Sequence, residues 1–235
     1  IRACTDLGLA EMIASGVTCV ADMYMHTGTI AEQILEAGIS ANLSCGGVYF
    51  GAPEDFSPEP CGDCRNQAAL TEEWHGAGAG QILVDASVHG EYTSNPPLWR
   101  WMAEYAAEHR LGMHVHVSET QSEHQASLER WGKTPIQALD GCGVWDCGRS
   151  LAAHCVYTTE EDWALMAEKG ISCVHNPWSN LKLGSGVAPI PAMMRAGVNV
   201  ALGTDGMSSH NSADLFSDIK LAAVLHNGVE RDPMA

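Results

Sequence analysis

Three short strings in the sequence place histidines and carboxylates where apolar, β-rich runs end. They are HVSE at 116–119, AAHC at 152–155 and GTDG at 203–206. If the runs are parallel strands of a barrel, their carboxyl ends converge on one face, which is where such barrels keep their chemistry. Two imidazoles and two carboxylates meeting there are suited to a zinc- or iron-activated water and its proton carriers. The residues concerned are His116, Glu119, His154 and Asp205.

The spacing of these residues supports their assignment to a functional site. A single histidine at a strand end is more often a hydrogen-bonded polar residue than a metal ligand. Glu119 follows His116 by three residues, which suits a proton carrier beside a metal ligand. His114 and His116 are alternate residues, so they share a face of their strand. We expect His114 to pack or to hold a supporting hydrogen bond.

Apolar runs alternate regularly with helical patterns along the whole chain. Alternating strands and helices with near-continuous apolar strands predict a parallel sheet covered on both faces. Polar residues end nearly every strand, which favours a closed (β/α)8 TIM barrel over an open doubly wound sheet. We expect a single α/β domain over residues 1–235. The predicted strands are 17–24, 41–50, 82–90, 111–119, 150–158, 171–177 and 199–206.

A barrel of this type needs eight strands, and the sequence shows seven after a helix-like stretch at 5–15. We therefore expect the chain to be an internal piece containing strands two to eight, with strand one upstream of Ile1.

The amino-acid composition argues against some classes of binding partner. The 235 residues carry a formal net charge of −17 and only 12 Lys and Arg residues, which argues against a nucleic-acid groove. No apolar run approaches the roughly 18 residues needed to span a bilayer, and no signal peptide is visible. We expect a cytoplasmic protein whose partner is a small-molecule substrate, with neither nucleic acid nor a membrane as partner.

The nine cysteines suit a reducing compartment, because their number is odd and several lie inside apolar runs. The C-x-x-C of Cys61 and Cys64 could form a structural zinc site with Cys142 and Cys147. The second spacing is wrong for a zinc ribbon or finger, so a solvated loop is the favoured interpretation.

Six strings together resemble the amidohydrolase superfamily, and the match runs along almost the whole chain in the right order. The nearest branch resembles the S-adenosylhomocysteine and methylthioadenosine deaminases and the related triazine hydrolases. The resemblance implies one divalent metal, usually zinc with iron as the alternative, and suggests a homo-oligomer. The strings are GVTCVADMY, SVHGEYTSN, HVHVSET, AAHCVYTTEED, VHNPWSNLKLGSG and NVALGTDGMSSHNSADLF.

Carried over by position, the resemblance assigns a role to each candidate site residue. His116 matches the metal ligand of strand five, and Asp205 matches the ligand of strand eight, whose second oxygen can take the proton of the attacking water. Glu119 matches the proton shuttle, and His154 the strand-six histidine that hydrogen-bonds the attacking water or the developing alkoxide. His89 matches a strand-four histidine that contacts substrate. The family's H-x-H pair of strand one, and a small β-sandwich built from both termini, are expected outside this chain.

The expected activity is hydrolysis of a carbon–nitrogen bond other than a peptide bond, as hydrolytic deamination of an aminated heterocycle. The loop after strand two has Thr27, Gly28 and Thr29 where adenosine-type deaminases of this branch often carry an acid. A purine or nucleoside, a pterin, a pyrimidine and a triazine therefore all stay open as substrates. The alternatives are a chlorohydrolase of a triazine-like ring and a non-catalytic barrel that serves as a scaffold.

Overall fold

The apolar runs form parallel strands in the computed structural model, which describes residues 1–234. Every predicted strand region overlaps an observed strand, and the region 82–90 contains two. The strands are β1 Cys19–Met23, β2 Ser40–Ser44, β3 Ile82–Val84, β4 Ala86–Gly90, β5 Met113–Val117, β6 Ser150–His154, β7 Ile171–His175 and β8 Asn199–Leu202.

Helices connect the strands and cover the sheet. Gly38 and Gly170 end two of them in the left-handed conformation, at φ 79° and 67°, which glycine adopts without steric cost. Residues 121–140 form two helices, because Pro135 starts a new helix capped by Thr134. The helices are α1 Arg2–Ala14, α2 Thr27–Ala37, α3 Gly62–Trp74, α4 Ala77–Gly80, α5 Pro96–His109, α6 Gln121–Trp131, α7 Pro135–Asp140, α8 Glu160–Lys169, α9 Pro177–Lys182, α10 Ile190–Arg195, α11 Met207–His210 and α12 Leu215–Glu230, with 3₁₀ turns at Pro53–Asp55 and Glu91–Thr93.

The strands follow one another in chain order, and all their pairings are parallel. β1, β2 and β3 form one sheet, and β4 to β8 form a second. A single residue, Asp85, separates β3 from β4, and a parallel bridge between Gly47 and Val88 continues the ladder across that break. The prediction of a parallel α/β fold is confirmed.

Asp85 explains why the region 82–90 is two strands. Its carboxylate is fully buried and accepts a hydrogen bond from the backbone N–H of Gly112 at 2.9 Å. Asn42 and Arg149 also donate to this carboxylate. Gly112 and Arg149 directly precede β5 and β6, so Asp85 binds these strands near their amino-terminal ends.

Two apolar clusters hold the helices on the sheet. The larger packs outward-facing residues of β4 to β8, such as Val115 and Cys173, against α5 and α7. Trp99 of α5 is 1% exposed within it. The smaller packs α1 and α2 against β1 to β3 through residues such as Ile34 and Leu43.

The two strands at the ends of the series are the most exposed. β1 and β8 contain no buried residue. In β7, by contrast, three of the five residues are buried. Within residues 1–234, no strand pairing joins β8 to β1. No helix of this part of the chain is long and apolar enough to cross a membrane.

The solvated loop predicted for the C-x-x-C motif is wrong. Cys61 and Cys64 are 8% and 2% exposed and belong to the larger apolar cluster, at the start of α3. All nine cysteines are free thiols. In residues 1–234, no group of three or more His, Cys, Asp or Glu side chains is arranged to hold a metal, so the motif has no zinc partners there.

Candidate active site

Neighbouring strands bring the predicted site histidines together. Gly90 of β4 is paired with His116 of β5, and Val117 of β5 is paired with His154 of β6. The ring centroids of His89 and His116 are 4.9 Å apart, and those of His116 and His154 are 5.7 Å apart. The carboxyl ends of β4, β5 and β6 thus form one cluster of imidazoles.

His116 is held as a neutral imidazole with one free nitrogen. Its Nδ1 donates to the backbone carbonyl of His89 at 2.7 Å, which leaves the Nε2 lone pair available. Burial and the nearby His154 lower the pKa of His116 to about 4, although Asp205 acts in the opposite direction. A neutral imidazole whose other nitrogen donates to a carbonyl is the form in which histidine binds metals.

His154 reaches the site because its backbone is left-handed. Ala152 of the same strand packs in the apolar cluster behind the sheet, and strict alternation would point residue 154 the same way. At φ 73° the chain turns at His154 instead. Its Nδ1 then donates to Asn180 Oδ1 at 2.8 Å, and its Nε2 lies 3.8 Å from Glu119 Oε2.

Glu119 follows a second left-handed residue, Ser118, at φ 49°. Its side chain is 20% exposed, so the carboxylate is accessible at the mouth of the barrel. Ser185 donates to Glu119 Oε1 at 3.3 Å. The carboxylate therefore lies beside His154 and is partly exposed.

Asp205 is the third left-handed position at a strand end, at φ 59°. Ser179 Oγ donates to its Oδ2 at 2.5 Å, and the Gly206 N–H donates to its Oδ1 at 2.5 Å. Each oxygen keeps a further lone pair, and the residue is exposed to the site. Non-glycine residues with positive φ are uncommon and cluster at functional sites.

His89 lies at the edge of the cluster. Its Nδ1 donates to Thr93 Oγ1 at 3.2 Å, since that hydroxyl itself donates to the carbonyl of Gly90 at 3.0 Å. The ring of Tyr92 stands nearly perpendicular to His89, with centroids 6.2 Å apart. Burial lowers the pKa of His89, so the ring is neutral and can accept a hydrogen bond through Nε2.

His114 lies inside the barrel beneath these residues. It is 7% exposed, and its Nδ1 is 3.3 Å from Ser44 Oγ, which agrees with the expected supporting hydrogen bond. Burial, together with the neighbouring His116 and His154, lowers its pKa to about 3.

Sequence reasoning missed several residues that hold the site together. Asn180 and Ser179 lie in the string HNPWSN, whose polar residues directly after β7 were a usable signal. Ser185, in the loop after α9, is another such residue, because its hydroxyl contacts Glu119. Lys182 binds a neighbouring segment, since its Nζ donates to the Ser208 carbonyl and to Asn211 Oδ1 at 2.6 Å each.

The donors present are suited to a divalent metal such as zinc. His116 offers a neutral nitrogen, and Asp205 offers a carboxylate close enough to act on the pKa of His116. Nitrogen and carboxylate ligands are typical of catalytic zinc, which needs three protein ligands. Residues 1–234 supply two of the expected ligands and hold no complete set.

Sequence comparisons with known proteins identify one family. A sequence model described as "Amidohydrolase family" matches residues 1–235. The 5-methylthioadenosine/S-adenosylhomocysteine deaminase of Dictyoglomus thermophilum is 40% identical over 228 residues, which are 97% of this chain and 52% of that protein. The same enzyme of Moorella thermoacetica is 41% identical over 231 residues, again 97% and 52%. The chain thus spans about half the length of these relatives.

Solved structures show the same fold. An adenosine deaminase from Xanthomonas campestris with bound zinc has a TM-score of 0.88 and 31% identity, over 100% of this chain and 52% of the other. The atrazine chlorohydrolase TrzN from Arthrobacter aurescens, complexed with zinc, has a TM-score of 0.86 and 23% identity, over 98% and 54%. The second likeness concerns the fold alone.

Proposed function

The chain belongs to the amidohydrolase family, and from this premise we propose that the protein is a metal-dependent hydrolase that deaminates an aminated heterocycle. One observation carries the proposal: the Glu119 carboxylate lies 3.8 Å from His154 Nε2, and the His154 ring lies 5.7 Å, between centroids, from the His116 ring with its free nitrogen. A proton carrier, a hydrogen-bonding imidazole and a metal ligand are thus within reach of one substrate atom. Relatives named as deaminases support the reaction class.

We propose that His116 and Asp205 hold a divalent metal, zinc with iron as the alternative. When bound, zinc supplies Lewis acidity that makes water a nucleophile at neutral pH. The zinc-bound adenosine deaminase that is 31% identical to this chain supports this assignment.

The remaining residues would handle protons and orient the substrate. Glu119, whose carboxylate is accessible at the mouth, would carry one proton of the attacking water to the ring nitrogen, and then the second, accepted through Asp205, to the leaving amine. A carbon–oxygen bond forms, the carbon–nitrogen bond breaks, and ammonia departs with the proton. His154 would hydrogen-bond the attacking water or the developing alkoxide, oriented by its own bond to Asn180. His89 would contact the substrate.

We also propose that residues 1–235 are one barrel domain and that a strand outside them completes it. The exposed strands β1 and β8 support this, because parallel strands in such a fold are normally buried on both sides. That strand would bring the H-x-H pair that the family carries on strand one. The expected cytoplasmic location and homo-oligomeric state also stay proposals, the latter testable by analytical ultracentrifugation.

The deciding experiment is ammonia release by the complete, zinc-loaded protein from a panel of aminated purines, nucleosides, pterins, pyrimidines and triazines. Release from any compound supports deamination and identifies the substrate class. Chloride release from a chlorinated triazine without ammonia would favour a chlorohydrolase. Absence of both, in protein that binds no metal, would favour the scaffold.

A further inference from the structure

The backbone just before α6 is held by a carboxylate that no sequence motif singled out. Glu123 Oε1 accepts a hydrogen bond from the Ser118 N–H, and its Oε2 accepts one from the Glu119 N–H, both at 2.8 Å. Glu123 is 5% exposed, and Thr120 Oγ1 accepts its backbone N–H at 3.2 Å. An ordinary capping box would return the carboxylate to the Thr120 N–H. Here it reaches further back along the chain.

We propose that Glu123 is a positioning residue that holds Glu119 in the orientation needed for proton transfer. This inference rests on the proposed function, in which Glu119 carries the protons. Glu123 itself touches no reacting atom, and it acts through the backbone of the residue next to a strained position.

The backbone segment that Glu123 binds is strained at Ser118. Ser118 is fully buried and has φ 49°, a conformation that a serine side chain disfavours. A carboxylate that accepts both adjacent N–H groups stabilises this turn through two charge-assisted hydrogen bonds. Without them, Ser118 could relax toward negative φ, and the Glu119 side chain would move away from His154. A misplacement of about 1 Å can lower the rate by about 100-fold.

Replacing Glu123 by glutamine tests whether its two hydrogen bonds hold this turn. It keeps the size of glutamate but has one acceptor oxygen, and its NH₂ group would face one of the two N–H donors. Glu123→Gln therefore disrupts one of the two bonds without creating a cavity.

The chain offers a matched control in Asp162 of α8. Its carboxylate is also fully buried at a helix start, where it accepts from the Thr159 N–H at 2.9 Å and from Thr134 Oγ1 at 2.5 Å. Neither partner belongs to the candidate site. Asp162→Asn should therefore lower the melting temperature while leaving kcat within about twofold of the parent protein.

The kinetic test uses the zinc-loaded, full-length protein and the best substrate from the panel. We expect Glu123→Gln to lower kcat about 10- to 100-fold, with KM within about threefold and metal content unchanged. In the Glu119→Gln background, adding Glu123→Gln should change kcat less than twofold, because the positioned group is already absent. Unchanged kcat in Glu123→Gln, loss of metal, or an additive effect in the double variant would each overturn the proposal.

Hydrogen exchange separates this proposal from the proposed function. Exchange of the Ser118 and Glu119 amides should become at least tenfold faster in Glu123→Gln and stay at the parent rate in Asp162→Asn. If the parent protein releases no ammonia from any compound, the proposed function fails, but these two amides still report whether Glu123 holds the turn. Parent-like exchange at both amides in Glu123→Gln would show that it does not.

Discussion

Each reactive side chain of the site is oriented by a neighbour that does no chemistry itself. The carbonyl of His89 selects the tautomer of His116, and Asn180 does the same for His154. Ser179 fixes one oxygen of Asp205. Such supporting hydrogen bonds keep ligands and proton carriers in one rotamer, and their loss typically lowers metal affinity or activity 10- to 100-fold.

Glu119→Gln tests the proton carrier at this scale. The amide keeps the shape of the side chain but cannot exchange protons, so kcat should fall by about 10²- to 10⁴-fold. Metal content, measured by elemental analysis, should stay at the level of the parent protein. Glu129→Gln, on the exposed face of α6, is the control and should keep full activity. Undiminished turnover in Glu119→Gln would exclude this residue as the proton carrier.

Asp205→Ala tests the metal-binding assignment. Removing the carboxylate deletes a ligand, so the purified variant should contain less than a tenth of the parent's zinc and show no measurable turnover. The exposed Asp55→Ala serves as the control and should retain both. Full zinc occupancy in Asp205→Ala would mean that other residues hold the ion.

At the scale of elements, several strands lead into turns in which side chains no longer alternate between the two faces as they do in a regular strand. Ser118, His154 and Asp205 all have positive φ, with His154 at the end of β6 and the other two shortly after β5 and β8. These turns bring side chains of three strands to one face. At the opposite ends of the strands, Asp85 joins the segments before β5 and β6. The residue that joins the strands and the candidate site residues therefore lie at opposite ends of the strands, as is usual for such barrels.

Asp85→Asn tests that separation. Asp85 is buried and paired with Arg149, and removing its charge should lower the free energy of unfolding by about 3 kcal/mol. Urea denaturation measures this loss, and kcat at low temperature should stay within about twofold of the parent. Asp146→Asn removes an exposed ion pair with Lys169 and should leave the free energy of unfolding close to that of the parent protein. A large loss of kcat in folded Asp85→Asn would contradict the separation.

At the scale of the whole molecule, buried neutral histidines make stability depend on pH. His175 of β7 is 1% exposed, packs against His226 of α12 at 5.5 Å between ring centroids, and has no hydrogen-bond partner for either ring nitrogen in residues 1–234. Burial and the neighbouring His226 lower the pKa of His175 to about 4. His154 of the candidate site lowers this pKa as well.

The sign of the effect follows from the lowered pKa. Between about pH 6.5 and 4 the unfolded chain binds a proton at residue 175 that the folded chain does not, so stability falls as the pH falls. The contribution is at most about 1.4 kcal/mol per pH unit. His175→Phe should flatten the melting temperature between pH 7.5 and 5.0, whereas His109→Phe, at an exposed position, should not. Equal slopes for the parent and His175→Phe would contradict this account.

The sequence by itself determined the parallel α/β fold, the helix ends at Gly38 and Gly170, and which strand ends carry His116, Glu119 and Asp205. Those features depend on local periodicity and on the conformational freedom of single residues, both of which are readable along the chain. Only the tertiary structure decided which way His154 points, that Ser185 meets Glu119 across 66 residues, and that Glu123 binds the backbone before its own helix. It also decided that Cys61 and Cys64 are buried. These depend on which distant segments pack together and on left-handed backbone at non-glycine residues, and neither leaves a periodic trace in the sequence.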